Sequence, residues 1–130
     1  MAIPTVVDTT EGDTFKMKCL ALNYELDRYS NWKQCRWERL KDKSYCRIDY
    51  RKSSGEDNYE VTDKCVGLDD HYFFGEDGLF KGEGNPSCGL DINPTSIKDE
   101  GDWRCSLVFQ DPKNDSLCIG NATIQVQVIL

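Results

Sequence analysis

The chain has 130 residues, a formal net charge of −7 and seven cysteines. That length fits one domain, expected to span 1–130, with a single core. The negative balance argues against nucleic acid and anionic membrane as partners, and no apolar run approaches the ~20 residues of a membrane helix.

The elements predicted from residue patterning are strands. Thr14 to Cys19 alternates polar and apolar, placing Phe15, Met17 and Cys19 on one face. Cys35 and Trp37 point inward with Arg36 between them pointing out. The stretch 51–87 is rich in Gly, Asp, Glu and Ser, which predicts short edge strands and long loops. Further on, Cys88, Leu90 and Ile92 share a face, followed by Trp103, Cys105, Leu107 and Phe109. After the turn cluster Asp111 to Asp115, Ile124, Val126 and Val128 form a closing strand with Thr123, Gln125 and Gln127 outward. Many strands, frequent turn signals and no amphipathic helix of useful length predict an all-β sandwich.

The cysteines suit disulfides better than a metal. Successive cysteines stand 11 to 23 residues apart, so no paired-ligand spacing exists and no metal or cofactor is expected. Seven in so short a chain imply an oxidising compartment. Asn114-Asp115-Ser116 and Asn121-Ala122-Thr123 are N-glycosylation sequons, while Pro94 disqualifies Asn93-Pro94-Thr95. Together these point to a secreted or extracellular protein. The start, Met1-Ala2-Ile3-Pro4, has neither a charged n-region nor an apolar h-region, so a secreted form is expected to have lost its leader.

Enzymatic chemistry finds little footing. The one histidine, His71, follows Asp69-Asp70, yet no motif places a nucleophile and Gly-x-Ser-x-Gly is absent. An exposed loop histidine is the better reading, and the chain is not expected to be an enzyme. Gly75 to Gly84 is glycine-rich but matches neither a Walker loop nor a dinucleotide fingerprint, and its acids lack EF-hand spacing. Within Tyr72-Phe73-Phe74, strand alternation sends at least one ring into the core.

Charge is segregated along the chain. Residues 33–52 hold eight basic side chains against three acidic ones, and residues 56–102 hold thirteen acids against three lysines. Either folding mixes these signs on a solvated surface, or the basic segment forms a positive face that steers an acidic partner. The second reading names Arg36, Arg39, Lys41, Lys43 and Arg47 as partner-binding residues, with Arg39, Lys41 and Lys43 expected to be exposed.

Gly12 to Cys19, Trp37, Leu90-x-Ile92 and Asp99-x-Gly101-x-Trp103-x-Cys105 together resemble the immunoglobulin superfamily over about Glu11 to Val128. Cys35-Arg36-Trp37 with Gly78 to Gly82 and Cys88-Gly89-Leu90 is also similar to single immunoglobulin domains of arthropod surface and secreted proteins. The resemblance implies an immunoglobulin-like antiparallel β-sandwich. Cys19 and Cys105 lie 86 residues apart, which implies an expanded C′–D region, variable-like in size. It further implies a Cys19–Cys105 bridge between the sheets and a Cys35–Cys88 bridge across the core. Cys46 and Cys65 are left as a clamp on the expanded middle, although sequence alone permits many connectivities. Cys118 is then either a free thiol or the site of an intermolecular bridge.

One departure stands out: Trp103 occupies the place usually held by tyrosine, so an indole N–H must replace the corner hydroxyl. The function implied is recognition or adhesion, a disulfide-pinned framework presenting a sheet face and loops to a protein, either an acidic surface or a second copy in a homo-oligomer. The alternative is a secreted small-ligand carrier or toxin-like binding protein with its ligand between the sheets or in the 46–88 region.

Overall fold

The computed structural model describes residues 5–19, 32–52, 59–74, 89–110 and 117–130. Nine strands run through them: β1 (Thr5–Thr10), β2 (Phe15–Lys18), β3 (Trp32–Arg39), β4 (Ser44–Lys52), β5 (Tyr59–Val66), β6 (Tyr72–Phe74), β7 (Gly89–Ile92), β8 (Gly101–Gln110) and β9 (Leu117–Ile129). They form a six-stranded sheet in the order β1-β9-β8-β3-β4-β5 and a three-stranded sheet in the order β2-β7-β6. All pairings are antiparallel except β1 with β9, where the chain's first described strand lies alongside its last in parallel. This is an immunoglobulin-like sandwich, with two additional strands, β4 and β5, extending the larger sheet as in variable-type domains.

Alternation builds the core. Cys35 and Trp37 of β3, Cys46 and Ile48 of β4, and Trp103, Cys105 and Leu107 of β8 point to the smaller sheet and are at most 2% exposed. Met17, Leu90 and Ile92 meet them from the other side. β7 is buried along its whole length because it is the central strand of the small sheet, so its pattern carries no alternation. Cys19 is bonded to Cys105, which joins the sheets through the middle of the core, and Cys46 to Cys65, which links neighbouring strands β4 and β5. Cys35 is disulfide-bonded too; its expected partner, Cys88, lies outside the described residues.

The region expected to hold only short edge strands is more regular than its composition implies. β4 and β5 pair over eight positions from Tyr45↔Val66 to Lys52↔Tyr59. Polar residues dominate the sequence of β5, and its backbone nonetheless pairs without a break along β4. At its base, Gly67 has φ +81°, and a Cβ there would lie 2.9 Å from Ser44 Cβ, so only glycine fits this turn away from β5.

The corner before β8 is held by buried polar groups. Ser96 caps the 3-10 turn Ile97–Asp99, with Asp99 returning a bond to the Ser96 N–H at 2.8 Å. The Trp103 indole N–H donates to the Asp99 carbonyl at 2.9 Å. The indole therefore fastens the corner, as its substitution for tyrosine requires.

Candidate functional site: the outer face of the six-stranded sheet

Residues of even parity on β3 and β8 and of odd parity on β4 point away from the core and meet in register across the large sheet. Arg36 stands opposite Ser106 on one side and Arg47 on the other, Arg47 is opposite Lys64, and Ser106 is opposite Asn121. The result is a straight cross-strand row, Asn121–Ser106–Arg36–Arg47–Lys64. Below it runs Thr123–Arg104–Glu38–Tyr45–Val66, and above it Ile119–Val108–Gln34–Asp49.

Three adjacent cations in one row are costly, since like charges directly opposite one another destabilise a sheet. The neighbours offset part of this. The Arg36 guanidinium lies over the Tyr45 ring at 4.2 Å and 3.6 Å from a Glu38 carboxylate oxygen. Arg47 Nε is 3.0 Å from Asp49 Oδ2, an ionic contact out of line for a hydrogen bond, and Gln34 donates to the same carboxylate at 2.8 Å. These ion pairs are roughly 40% exposed on the arginine side, so each is worth only about 0–1 kcal/mol. The Nε atoms of both arginines are shielded from water and have no hydrogen-bond partner. It is the exposed parts of the two guanidiniums, side by side on neighbouring strands, that an incoming carboxylate can reach.

The five basic residues picked out in the sequence separate into three groups. Arg36 and Arg47 come together on the face. Lys41 and Lys43 sit exposed in the β3–β4 turn, where Lys41 Nζ donates to the Glu100 carbonyl at 3.2 Å and Lys43 adopts φ 62°. Arg39 is not exposed. Its relative accessibility is 7%, and the expectation that it belongs with Lys41 and Lys43 on an open surface is corrected. The reason is parity: Arg39 follows Cys35 and Trp37 onto the inward side of β3.

Inside, Arg39 binds Asp42 (Nη2–Oδ2 2.7 Å), the Tyr72 hydroxyl (3.1 Å) and Asp99 (3.4 Å). The Tyr72 hydroxyl donates to Asp99 as well. The hydrogen bond from Arg39, with a smaller contribution from the Ser44 N–H, holds the Asp42 carboxyl well below the usual carboxylate range. Burial, then the Asp99 carboxylate, pushes the Tyr72 hydroxyl far above its ordinary value. This cluster ties β3, β6 and the β8 corner together and faces the interior, so it serves the fold.

Sequence reasoning overlooked Lys64, Arg104 and Tyr45 as members of the face. Lys64 was findable, because a Cys46–Cys65 clamp fixes the β4–β5 register and turns the residue before Cys65 outward. His71 is exposed, with Nδ1 2.8 Å from Asp69 Oδ1; Asp69, Asp70 and His71 lie close together on this loop. The His71 backbone N–H, then its ring, lowers the Asp69 carboxyl below its usual value. Of the three aromatic residues that follow, Tyr72 is buried and Phe73 is 42% exposed. Asn121 is exposed on β9, whereas Asn114 and the glycine-rich acidic loop fall outside the described residues. Cys118 lies on β9 opposite Phe109.

No protein-family model and no curated protein sequence matches the chain. Solved structures match its fold. Murine CRIg superposes with a TM-score of 0.61 at 16% identity, covering 98% of this chain and 94% of that one. The V domain of amphioxus IgVJ-C2 gives 0.54 at 18% identity, covering 95% and 100%. CD84 gives 0.54 at 14% identity, covering 98% and 100%. The chain is an immunoglobulin-like domain by fold. At these identities, what it binds must be argued from its own residues.

Proposed function

We propose that residues 1–130 form an extracellular recognition domain that binds an acidic protein surface through the outer face of the six-stranded sheet. The row Arg36–Arg47–Lys64 carries this reading. In a chain of net charge −7, it concentrates three cations on neighbouring strands of one face, with the side chains of both arginines about 40% exposed. Carboxylates from a partner would relieve the mutual repulsion and form charge-assisted hydrogen bonds with the exposed parts of the guanidiniums. The rigid backing comes from Trp37 and Cys35 behind Arg36 and from the Cys46–Cys65 bridge beside Arg47. Two disulfides and a fifth bonded cysteine, Cys35, support an oxidising compartment. A ligand between the sheets is disfavoured because Trp37, Trp103, Met17 and Leu107 occupy that space at no more than 2% exposure.

The test is comparative capture from extracellular material at 0.1 M and 1 M salt, where the Debye length falls from about 10 Å to about 3 Å. Species held by the wild type should be lost at high salt and lost by the R36E/R47E/K64E variant, while K41E/K43E retains them. Capture indifferent to salt and to both variants would overturn the proposal.

A further inference from the structure

The row that carries the cations also carries a sequon. Asn121 is its first member, two strands from Arg36 and exposed, and Thr123 lies on the same side of β9. At about 4.8 Å per strand, Asn121 stands roughly 10 Å from Arg36, 14 Å from Arg47 and 19 Å from Lys64. The residue between Asn121 and Arg36 is Ser106, whose short side chain raises no wall. Beside Asn121 on this face is Ile119, 65% exposed, paired in register with the part-exposed Val108. An exposed isoleucine and a valine in register make an apolar spot on a face whose other side chains, Val66 at the far edge apart, are mostly polar or charged.

We infer that Asn121 is N-glycosylated and that its glycan lies over Ile119 and Val108, closing the β8–β9 half of the face and confining docking to β3, β4 and β5. The acceptor chemistry is ordinary. The Asn121 Nδ2–C1 bond forms as the C1–oxygen bond to the diphosphate of a polyprenyl-diphosphate oligosaccharide breaks. The diphosphate takes the electron pair, and the amide proton passes to base. The sequon is read on the unfolded chain, so the folded structure need only leave room for the product, and an outward side chain on an exposed strand does so. The apolar faces of the first sugars then cover the two aliphatic side chains. The assignment of the open half as a docking surface rests on the function proposed above; the modification and the covered spot do not.

The test uses the whole chain secreted from eukaryotic cells, with Asn114→Gln removing the other sequon. Peptide mapping after glycosidase treatment in heavy-oxygen water should recover position 121 as labelled aspartate, and Thr123→Ala should abolish the label while leaving Asn121 in place. Hydroxyl-radical footprinting of the folded protein, before and after enzymatic deglycosylation, should show labelling of Ile119 rising several-fold. Val66, four strands away on the same face, should not change. Unmodified Asn121, or Ile119 labelling that deglycosylation leaves unchanged, overturns the inference. Neither result depends on finding a partner, so failure here is distinct from failure of capture by the Arg36–Arg47–Lys64 face.

Discussion

Replacing Arg39 with methionine keeps most of the apolar length of the side chain and deletes the guanidinium. The group removed is 8% exposed and faces Asp99, whose side chain is 1% exposed, at 3.4 Å. Breaking a buried pair by removing one partner costs about 3–5 kcal/mol, because the other charge is left uncompensated. Asp99 retains two donors, the Tyr72 hydroxyl and the Ser96 N–H, which places the expected loss near the lower end, about 3 kcal/mol. For a domain of this size that corresponds to a fall in Tm on the order of 10 °C. In urea it corresponds to a midpoint lowered by roughly 1–3 M at the usual slopes. Arg36→Met, on the outward side of the same strand, should cost no more than about 1 kcal/mol.

The matching cycle uses Asp99→Asn. If the orphaned carboxylate is the source of the loss, R39M should cost less in the D99N background than in the wild type, a coupling that equilibrium denaturation of the four proteins measures. An R39M protein within about 1 kcal/mol of wild type would refute the reasoning, as would strict additivity. In either case the buried cluster would not be what fastens β3 to the β8 corner.

Three further outcomes are expected. Trp103→Phe removes the only indole donor to the Asp99 carbonyl described here and leaves a void, so unfolding free energy should drop by about 2–4 kcal/mol; a loss under about 1 kcal/mol would mean the corner is held without it. Because Arg39 lowers the Asp42 carboxyl, that group stabilises the fold above the unfolded carboxylate value of about 3.9, and the contribution is lost as pH falls through the lowered folded value. Urea midpoints between pH 2 and 6 should therefore show a shallower acid slope for D42N than for wild type, and identical slopes would count against the Arg39–Asp42 bond in solution. Non-reducing peptide mapping should recover Cys19–Cys105, Cys46–Cys65 and Cys35 linked to Cys88, with one thiol per chain, Cys118, open to alkylation. A reducible dimer would assign Cys118 to an intermolecular bridge, and a monomer with no alkylatable cysteine would refute the scheme.

Alternation made the core legible before any coordinates. Cys35 and Trp37, Trp103 with Cys105 and Leu107, and Ile124 with Val126 and Val128 all lie where period-two patterning places them. The β4–β5 pair was harder to read because β5 is an edge strand of largely polar sequence. Composition alone cannot tell a solvated strand from a loop. Arg39 was misread for the opposite reason. Its parity with Trp37 was visible, but an arginine on an inward position is acceptable only with buried partners, and Asp99 and Tyr72 lie 60 and 33 residues away in sequence. The register that lines Arg36 up with Arg47 and Lys64 is likewise a property of pairing between strands, which no single strand encodes.

Those two arginine environments explain how one basic segment performs two tasks. On β3, Arg36 and Arg39 are three residues apart, and the strand's period of two sends them to opposite sides. The inward one meets Asp99 and Asp42, is neutralised, and fixes the corner and the β3–β4 turn in place. The outward one meets Arg47, whose charge it cannot neutralise, and its carboxylate neighbour, Glu38 two residues along the same strand, makes only a half-exposed contact at 3.6 Å. A substitution that merely counts charge would treat the two alike. The distinguishing experiment is to exchange them for glutamate one at a time: R39E should unfold or strongly destabilise the domain, because it buries a second carboxylate against Asp99. R36E should leave the fold intact and relieve the repulsion with Arg47, thereby weakening only salt-sensitive association. If R36E destabilised the isolated domain as much as R39E, the outward row would be part of the fold's own support and not a surface held in reserve for a partner.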